Sequence, residues 1–554
     1  MSTYTIGIDF GTLSGRAVLV DTADGRELAD AVFDYPHAVI DETLPTSGKP
    51  LPPEWALQDP LDYLEVVRQT VPAVLKKANI KAEDVVGLAI DFTACTMMPV
   101  KQDGTPLRSL AEYQKNPHAW VKLWKHHAAQ GQADQINETA RKMGESWLDR
   151  YGGKISSEWF FSKALQILQE APDIYKASDR FIEACDWVIW QLCGNETRNA
   201  CTAGYKAMVQ DGDYPSKAYF AALHPDFANV IDEKMSRDFA QLGDLAGGLT
   251  ADWAKATGLK EGIAVAVANV DAHVTAPAVK AVEPGTMVMI MGTSTCHIMS
   301  GESIHNVEGM CGVVEGGVIP GLYGYEAGQS GVGDIFAWFV DHAVPQEYYD
   351  AAQNAGVNIH DYLEQEASKQ KVGEHGLLAL DWWNGNRSTL VDVELSGMLV
   401  GMTLATRAPD IYRALIESTA YGTREIIEAF ESKGVEVKEL VAAGGLPEKN
   451  ALLRQIYADV TGRPLKLAGS AQAPALGSAM HAAVAAGVYP DIKAAAEKMG
   501  KLKDEIVTPI PDNKAVYDQL FAEYKRLYSY FGRGENNVMK TLKRLRKEVK
   551  GIEV

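Results

Sequence analysis

Two short stretches of the chain are built to receive an anion on backbone N–H groups. GIDFGT (7–12) and MIMGTS (289–294) each run an apolar strand into a Gly-Thr turn. There the missing Cβ of Gly11 or Gly292 lets the backbone approach a phosphate, and the hydroxyl of Thr12, or of Thr293 and Ser294, adds a donor. The turns are not equivalent, because Asp9 stands two residues before Gly11 whereas Ile290 takes that place before Gly292. Only the first can reach Mg2+, through water. A single such turn is a tight hairpin and nothing more; one in each half suggests phosphates gripped from both sides of a cleft. A third glycine feature, Gly444-Gly445, ends the apolar strand KELVAA and opens a helix, which allows close approach of a flat ring or a phosphate. Asp271 closes the apolar run GIAVAVANV (262–270), and a carboxylate at a strand end facing a crevice is placed to accept a proton. Neither GxxxxGK[ST] nor GxGxxG after a strand occurs, so the P-loop and Rossmann readings lose their support.

These residues need elements to hold them. The N-terminus reads as a β-meander, followed by a helix over 61–78 with Pro72 inside it and a strand over 85–91 that ends at Asp91. From 105 to 260 the chain is richer in Trp and Tyr, and helices are expected near 117–129, 132–143, 159–170 and 181–192. A strand over 262–271 and a hairpin over 279–300 follow, and the domain division is placed at 268/269. Beyond it come helical stretches at 328–342, 345–370 and 409–433. A strand, glycine turn and helix unit (438–460), a helix at 475–487 and an amphipathic helix over 514–550 complete the chain. The basic end of the last (Lys540, Lys543, Arg544, Arg546, Lys547, Lys550) reads as a solvated face.

At 554 residues the chain exceeds what one hydrophobic core supports, and 46% hydrophobic with 23% charged residues is an ordinary globular balance. A net charge of −20 repels phosphate backbones and anionic membranes, so neither nucleic acid nor a membrane is an expected partner. Six cysteines without CxxC or Cys/His spacing fit a reducing cytoplasm, and MSTYTIGIDFGT does not read as a signal peptide.

Together, GIDFGTLSGRAVLVD (7–21), MIMGTSTCHIM (289–299) and LVAAGGLPEKNALLRQIYADVTGRPL (440–465) resemble the first phosphate, second phosphate and adenosine motifs of the FGGY carbohydrate kinases. GMLVGMTLATRAPDIYRALIE (397–417) is similar to that family's C-terminal signature. These four elements come in the family's order, whereas its usual first signature, around 150–170, is matched only loosely. The resemblance implies two actin-like, ribonuclease H-like α/β domains flanking a catalytic cleft, residues 1–268 and 269–554. Within the family, DFTACTMMPV (91–100), LWKHHAAQ (123–130), CTAGYKAM (201–208), YEAGQSGVGDIFAWF (325–339) and LDWWNGNRS (380–388) resemble the branch acting on L-ribulose. Trp124-Lys125-His126-His127 departs from the Trp-x-Asp-x-Arg of xylulose kinases.

What the resemblance implies is specific. ATP is the phosphoryl donor, its phosphates between Gly11-Thr12 and Gly292-Thr293-Ser294 and its adenosine against Gly444, Gly445 and Asn450. Asp271 is the general base, Mg2+ sits near Asp9 and Asp271, and Thr93, Ala94, Lys206, Asp271 and Glu326 bind the sugar. The product is L-ribulose 5-phosphate, a step of L-arabinose breakdown, with domain closure excluding water, and a homodimer is implied by analogy. The alternatives are another ketopentose or pentitol (D-ribulose, ribitol, D-xylulose) as acceptor, or an actin-like or Hsp70-like nucleotide switch with no sugar. His126, His127 and Trp124 are candidate pocket walls, more simply read as packing. His273 is expected to pack against or orient the base.

Overall fold

In the computed structural model, which describes residues 3–549, two mixed sheets of one plan follow each other along the chain. In the first, Tyr4–Phe10, Ser14–Asp21 and Glu27–Asp34 form the expected antiparallel meander, and Val85–Phe92 adds parallel to Tyr4–Phe10. Ala264–Ala266 and Asn269–Val270 extend it in parallel, and Leu245–Gly248 closes that edge antiparallel. In the second, Thr286–Met291, Thr295–Gly301 and Tyr323–Gln329 make the meander. Glu439–Ala443 and Leu465–Ala468 add in parallel, and Leu502–Val507 closes the edge. A parallel neighbour requires a crossover, and the helices Pro60–Ala78 and Ala408–Ser432 occupy corresponding places in the two crossovers. The two Gly-Thr turns are therefore structural counterparts, each joining the first two strands of its sheet. The α/β two-domain architecture expected from the sequence is the one observed.

Between the N-terminal sheet and its last strands the chain builds a lobe. A four-stranded sheet (Leu57–Gln58, Val121–Lys122, Met97–Val100, Arg180–Glu183) is covered by helices that include Gln130–Met143 and Phe160–Glu170. Trp120, Trp159, Phe161, Tyr219, Phe220 and Phe227 fill its core, which accounts for the aromatic richness of this stretch. Several local expectations change, among them the helical stretch at 345–370, which is two helices, Gln346–Ala355 and Ile359–Ser368. The helix expected at 117–129 is a single 3-10 turn (Pro117–Ala119) followed by a strand, because Val121–Lys122 finds partners on two neighbouring strands and pairing overrides the helical period. The segment 181–192 starts as strand Arg180–Glu183 before turning helical at Ala184. The run 262–271 is two short strands, the second of which still belongs to the first sheet just past 268, and Asp271 begins a helix. The amphipathic stretch 514–550 is two helices, Pro511–Gly532 and Val538–Val549, separated at Gly534, where φ is 88°. Lys540 and Lys547 pair with Asp392 and Glu394, and Lys543 donates to the Val393 and Leu395 carbonyls, so part of the basic face is docked on the body. Lys550 lies outside the described residues. Pro72 does not divide its helix, which runs unbroken over Pro60–Ala78.

The halves meet through two helices. Ala473–Ala485 and Asp271–Ala278 lie against each other in a core that draws Val18 and Val20 from one sheet and Val288, Ile298 and Val441 from the other. The strand Tyr4–Phe10 buries Ile6, Ile8 and Phe10 on one face with the helix Pro60–Ala78, as its alternation dictates. On the opposite face side chains are nearly excluded: a Cβ on Gly7 would stand 1.8 Å from the Ala475 carbonyl oxygen, and one on Gly87 would stand 2.7 Å from that of Ala482. A Cβ on Gly477 would come within 2.0 Å of the Val274 carbonyl. Helix backbone thus rests directly on strand and helix backbone at three points. Among the described residues no helix is long and apolar enough to cross a membrane, and all six cysteines are free.

Replacing Gly7 with Ala is expected to lower stability by about 3 kcal/mol, the upper end of overpacking costs, because the obstacle is helix backbone. Urea unfolding checks it beside Gly131→Ala, whose added Cβ meets nothing within 4 Å and leaves stability unchanged or higher.

Candidate active site

The first hairpin brings acid and base together. With its turn at 11–13, Asp9 falls opposite Arg16 on the antiparallel strand and opposite Asp91 on the parallel one. Arg16 also lines a cavity of 510 Å3 whose wall includes Gly444, Gly445, Lys449, Gln472 and Lys503. The second strand of the first hairpin and the glycine pair thus border one space, and three cations stand around it in a strongly acidic chain. Gly11 N–H closes the turn on the Ser14 carbonyl at 2.9 Å, and Tyr35 Oη donates to the Gly11 carbonyl at 2.9 Å. Thr12 Oγ1 accepts from Trp124 Nε1 at 3.1 Å, so the threonine keeps its own hydrogen for another acceptor. Trp124 is thereby a support of the turn.

The second turn is held from its other side. Val332 and Asp334 N–H donate to the Thr293 carbonyl and Gly333 N–H to that of Gly292, which fixes Gly292-Thr293-Ser294 at the start of the helix Gly333–Ala343. A Cβ on Gly292 would meet nothing within 4 Å, so its glycine leaves an open approach to the backbone. Gly444 has φ of 101°, and a Cβ there would lie 2.3 Å from the Met291 carbonyl oxygen, which sets the glycine pair directly against the strand entering the second turn. Asn450 is not on the cavity wall; its side-chain oxygen caps the helix Ala451–Thr461 by accepting from Leu453 N–H at 2.7 Å.

Three carboxyl groups gather where the first sheet ends. Asp91 is fully buried, its Oδ2 accepts from Ser478 Oγ at 2.6 Å, and its Oδ1 has no partner. Burial, with the charges of Asp9 and Asp271 beside it, pushes its carboxyl well above the ordinary range. Burial raises Asp9 as well, against the pull of Asp91 and Arg16. Asp271 is the first residue of the helix Asp271–Ala278, its Oδ1 accepting from Ala272 N–H at 2.7 Å. Burial first, then the charge of Asp9, carries it up to about 7. Among the described residues no group of three or more His, Cys, Asp or Glu converges closely enough to cage a metal ion.

Opposite Asp271, Lys206 and Glu326 meet rather than acting as independent contacts. Lys206 Nζ donates to Oε1 at 2.9 Å and Oε2 at 2.8 Å, with both side chains buried. Burial would raise Glu326 and lower Lys206, but each charge overrides that for the other, so the pair stays ionised. His273 Nε2 stands 3.3 Å from Glu326, its ring 4.5 Å from that of Tyr205, and burial holds it below its ordinary value. Thr93 N–H donates to the Phe10 carbonyl at 3.2 Å, tying the loop with Thr93 and Ala94 to the end of the Asp9 strand. His126 is a core residue, accepting from Ala56 N–H and bonding Gln166. His127 pairs with Glu158, which lies 3.9 Å from Arg387 of the C-terminal half. Arg16 is a group that sequence reading missed although the hairpin arithmetic pairs it with Asp9. Ser478 and Arg387 are brought in by tertiary packing alone.

Comparison with known proteins follows the same outline. The N-terminal domain of the FGGY family of carbohydrate kinases matches residues 4–277 and its C-terminal domain residues 287–486. A ribulokinase of Halalkalibacterium halodurans is 58% identical over 98% of this chain and 97% of its own length, and one of Mycolicibacterium smegmatis is 55% identical over 98% and 96%. Among solved structures, the xylulose kinase of Rhodospirillum rubrum superposes with a TM-score of 0.77 at 21% identity, covering 95% of this chain and 98% of that one.

The raised carboxyl groups set a pH dependence of stability. A carboxyl whose folded pKa lies above its unfolded one binds more protons when folded, so stability falls as pH rises from about 4 through about 7. Asp91→Asn, which keeps the shape without the charge, is expected to flatten that fall, so that the variant loses less stability than the wild type between pH 5 and pH 7.5. Urea unfolding at pH 5 and 7.5 reads it, and an undiminished slope in the variant counts against Asp91 as its source.

Proposed function

The chain belongs to the FGGY family of carbohydrate kinases, and from that premise we propose that it moves the γ-phosphoryl group of ATP to the primary hydroxyl of L-ribulose, giving L-ribulose 5-phosphate and ADP. The observation that carries the reading is Asp271. Its carboxyl, poised at about 7, stands at the start of a helix within reach of the charges of Asp9, Glu326 and Lys206.

In its ionised form Asp271 accepts the hydroxyl proton as the sugar oxygen bonds to phosphorus and the bond from phosphorus to the β,γ-bridging oxygen breaks. A base matched to neutral pH suffices, because phosphoryl transfer has a loose transition state in which orientation and charge neutralisation carry most of the rate. Glu326 accepts from sugar hydroxyls and Lys206 donates to them, while Thr93 and Ala94 bound the sugar from the loop after Val85–Phe92. The ion pair spans the two halves, so the sugar bridges the cleft and closure over it excludes water. Thr12 and the N–H groups of Gly11, Gly292, Thr293 and Ser294 bind phosphate oxygens, and the cavity beside Gly444 and Gly445 takes the adenosine. Asn450 supports that wall by capping the next helix.

The donor set fits Mg2+ held through water: Asp9 and Asp271 offer carboxylate oxygens, Asp91 Oδ1 is an unpaired buried oxygen beside them, and no direct cage converges among the described residues. When bound it would neutralise charge on the transferring phosphoryl group. The reading places the enzyme in the cytoplasm at a step of L-arabinose breakdown.

Coupled ADP-release assays on L-ribulose, D-ribulose, D-xylulose, ribitol and glycerol test the acceptor; a higher kcat/KM on any of the others would displace L-ribulose. Asp271→Asn is expected to lose about 10²–10⁴ in kcat, the usual share of a general base. The wild-type kcat/KM should rise with pH through about 7, where Asp271 ionises, and the variant should lose that limb. Gly292→Ala, which meets no neighbour, should leave stability within about 0.5 kcal/mol. It should raise the KM for ATP roughly tenfold, about 1.4 kcal/mol of lost binding.

A further inference from the structure

Behind the loop Thr93–Thr96 lies a charged group that the mechanism above leaves unused. Lys163, on the helix Phe160–Glu170, has a relative exposure of 0%, and its ammonium donates to the Cys95 carbonyl at 2.6 Å and the Leu123 carbonyl at 2.7 Å. Both acceptors belong to segments that matter. Cys95 follows Ala94 and sits at φ 59°, a left-handed conformation that a residue with a Cβ holds only when its surroundings impose it. Leu123 precedes Trp124, whose indole supports Thr12 in the first turn. Burial pulls Lys163 down to about 8, with the charges of Glu183 and Glu158 opposing. Glu183, equally buried, has neither carboxyl oxygen hydrogen-bonded. An ammonium in such a place costs free energy that an apolar side chain of the same length would not. What it supplies instead is two strong, directed bonds to backbone carbonyls: that of Leu123, which also accepts from His126 N–H at 3.0 Å, and that of Cys95, for which Lys163 is the donor.

We propose that Lys163 is a positioning residue for the sugar: its two bonds hold the loop Thr93–Thr96 in the left-handed form that presents Thr93 and Ala94, and fasten that loop to the segment supporting Thr12. The inference rests on the assignment of Thr93 and Ala94 to the sugar site. Without the ammonium the Cys95 peptide loses its restraint, the loop relaxes, and sugar affinity falls while Asp271 and its surroundings keep their chemistry.

The test is steady-state kinetics on L-ribulose and ATP with Lys163→Met, Lys163→Gln and Ala94→Leu, each with its thermal midpoint. Lys163→Met should raise the sugar KM by about tenfold or more, with kcat within about threefold and a smaller rise in the KM for ATP. Lys163→Gln, which keeps an amide donor, should fall between it and the wild type. Sugar KM values within about twofold of wild type in both Lys163 variants, beside a raised KM in Ala94→Leu, would overturn the positioning role and leave the sugar-site assignment standing. An unchanged KM in Ala94→Leu would overturn that assignment and the inference with it. If Lys163→Met does not fold, Lys163→Gln decides by the same criterion.

Discussion

Backbone-to-backbone contact between the helix Ala473–Ala485 and the first sheet is the constraint on which the rest of the molecule depends. Gly7 and Gly87 remove the side chains that would hold helix and strands at ordinary packing distance, and Gly477 does the same towards the helix Asp271–Ala278. The helix therefore comes close enough for Ser478 to reach the buried Asp91. The same helix lies on Asp271–Ala278, so Asp271, the Asp9 strand and the C-terminal sheet are referenced to one element. Cleft geometry follows from that small-residue face, and the glycine turns only exploit it.

Electrostatics then works against the bulk composition. A chain of net charge −20 in a family that uses ATP has to offset its own field where the nucleotide binds. The means are local: Arg16, Lys449 and Lys503 stand at the cavity beside Gly444 and Gly445, and two glycine turns leave backbone accessible. Burial raises the carboxyl groups of this cluster, Asp91 most plainly, and carries Asp271 up to about 7, near the point where it can take a proton. The Lys206–Glu326 pair is the opposite case, fully ionised because each charge is answered at hydrogen-bond distance.

The layout of the fold was legible, and so were most of the groups that the structure brings together at the candidate site, because they are local. Gly11-Thr12, Gly292-Thr293 and Gly444-Gly445 announce themselves by a strand running into glycine, and Asp9 and Asp271 by their place at strand ends. The α/β plan of two similar sheets was visible in the echo between the two Gly-Thr hairpins. Residues brought in from a distance were not legible. Lys163 lies inside an ordinary amphipathic helix, Ser478 inside an alanine-rich one, and Arg387 on a loop whose cleft-facing position depends on the whole C-terminal half. Secondary structure failed where pairing decided the outcome, as at Val121–Lys122, or where a single glycine broke a long period, as at Gly534.

The docking of Ala473–Ala485 on the first sheet also bears on how the protein is made. One face of that sheet, carrying Thr5, Gly7, Asp9 and Gly87, is covered by a segment synthesised about 200 residues after the sheet's own last strand at Val270. At roughly 5–20 residues per second the ribosome takes on the order of 10–40 s to deliver it. Throughout that interval the N-terminal half is a nascent chain with an open, flat sheet face. Its final folding step waits on the C-terminal end of the message, and a chaperone that shields such a surface would act there.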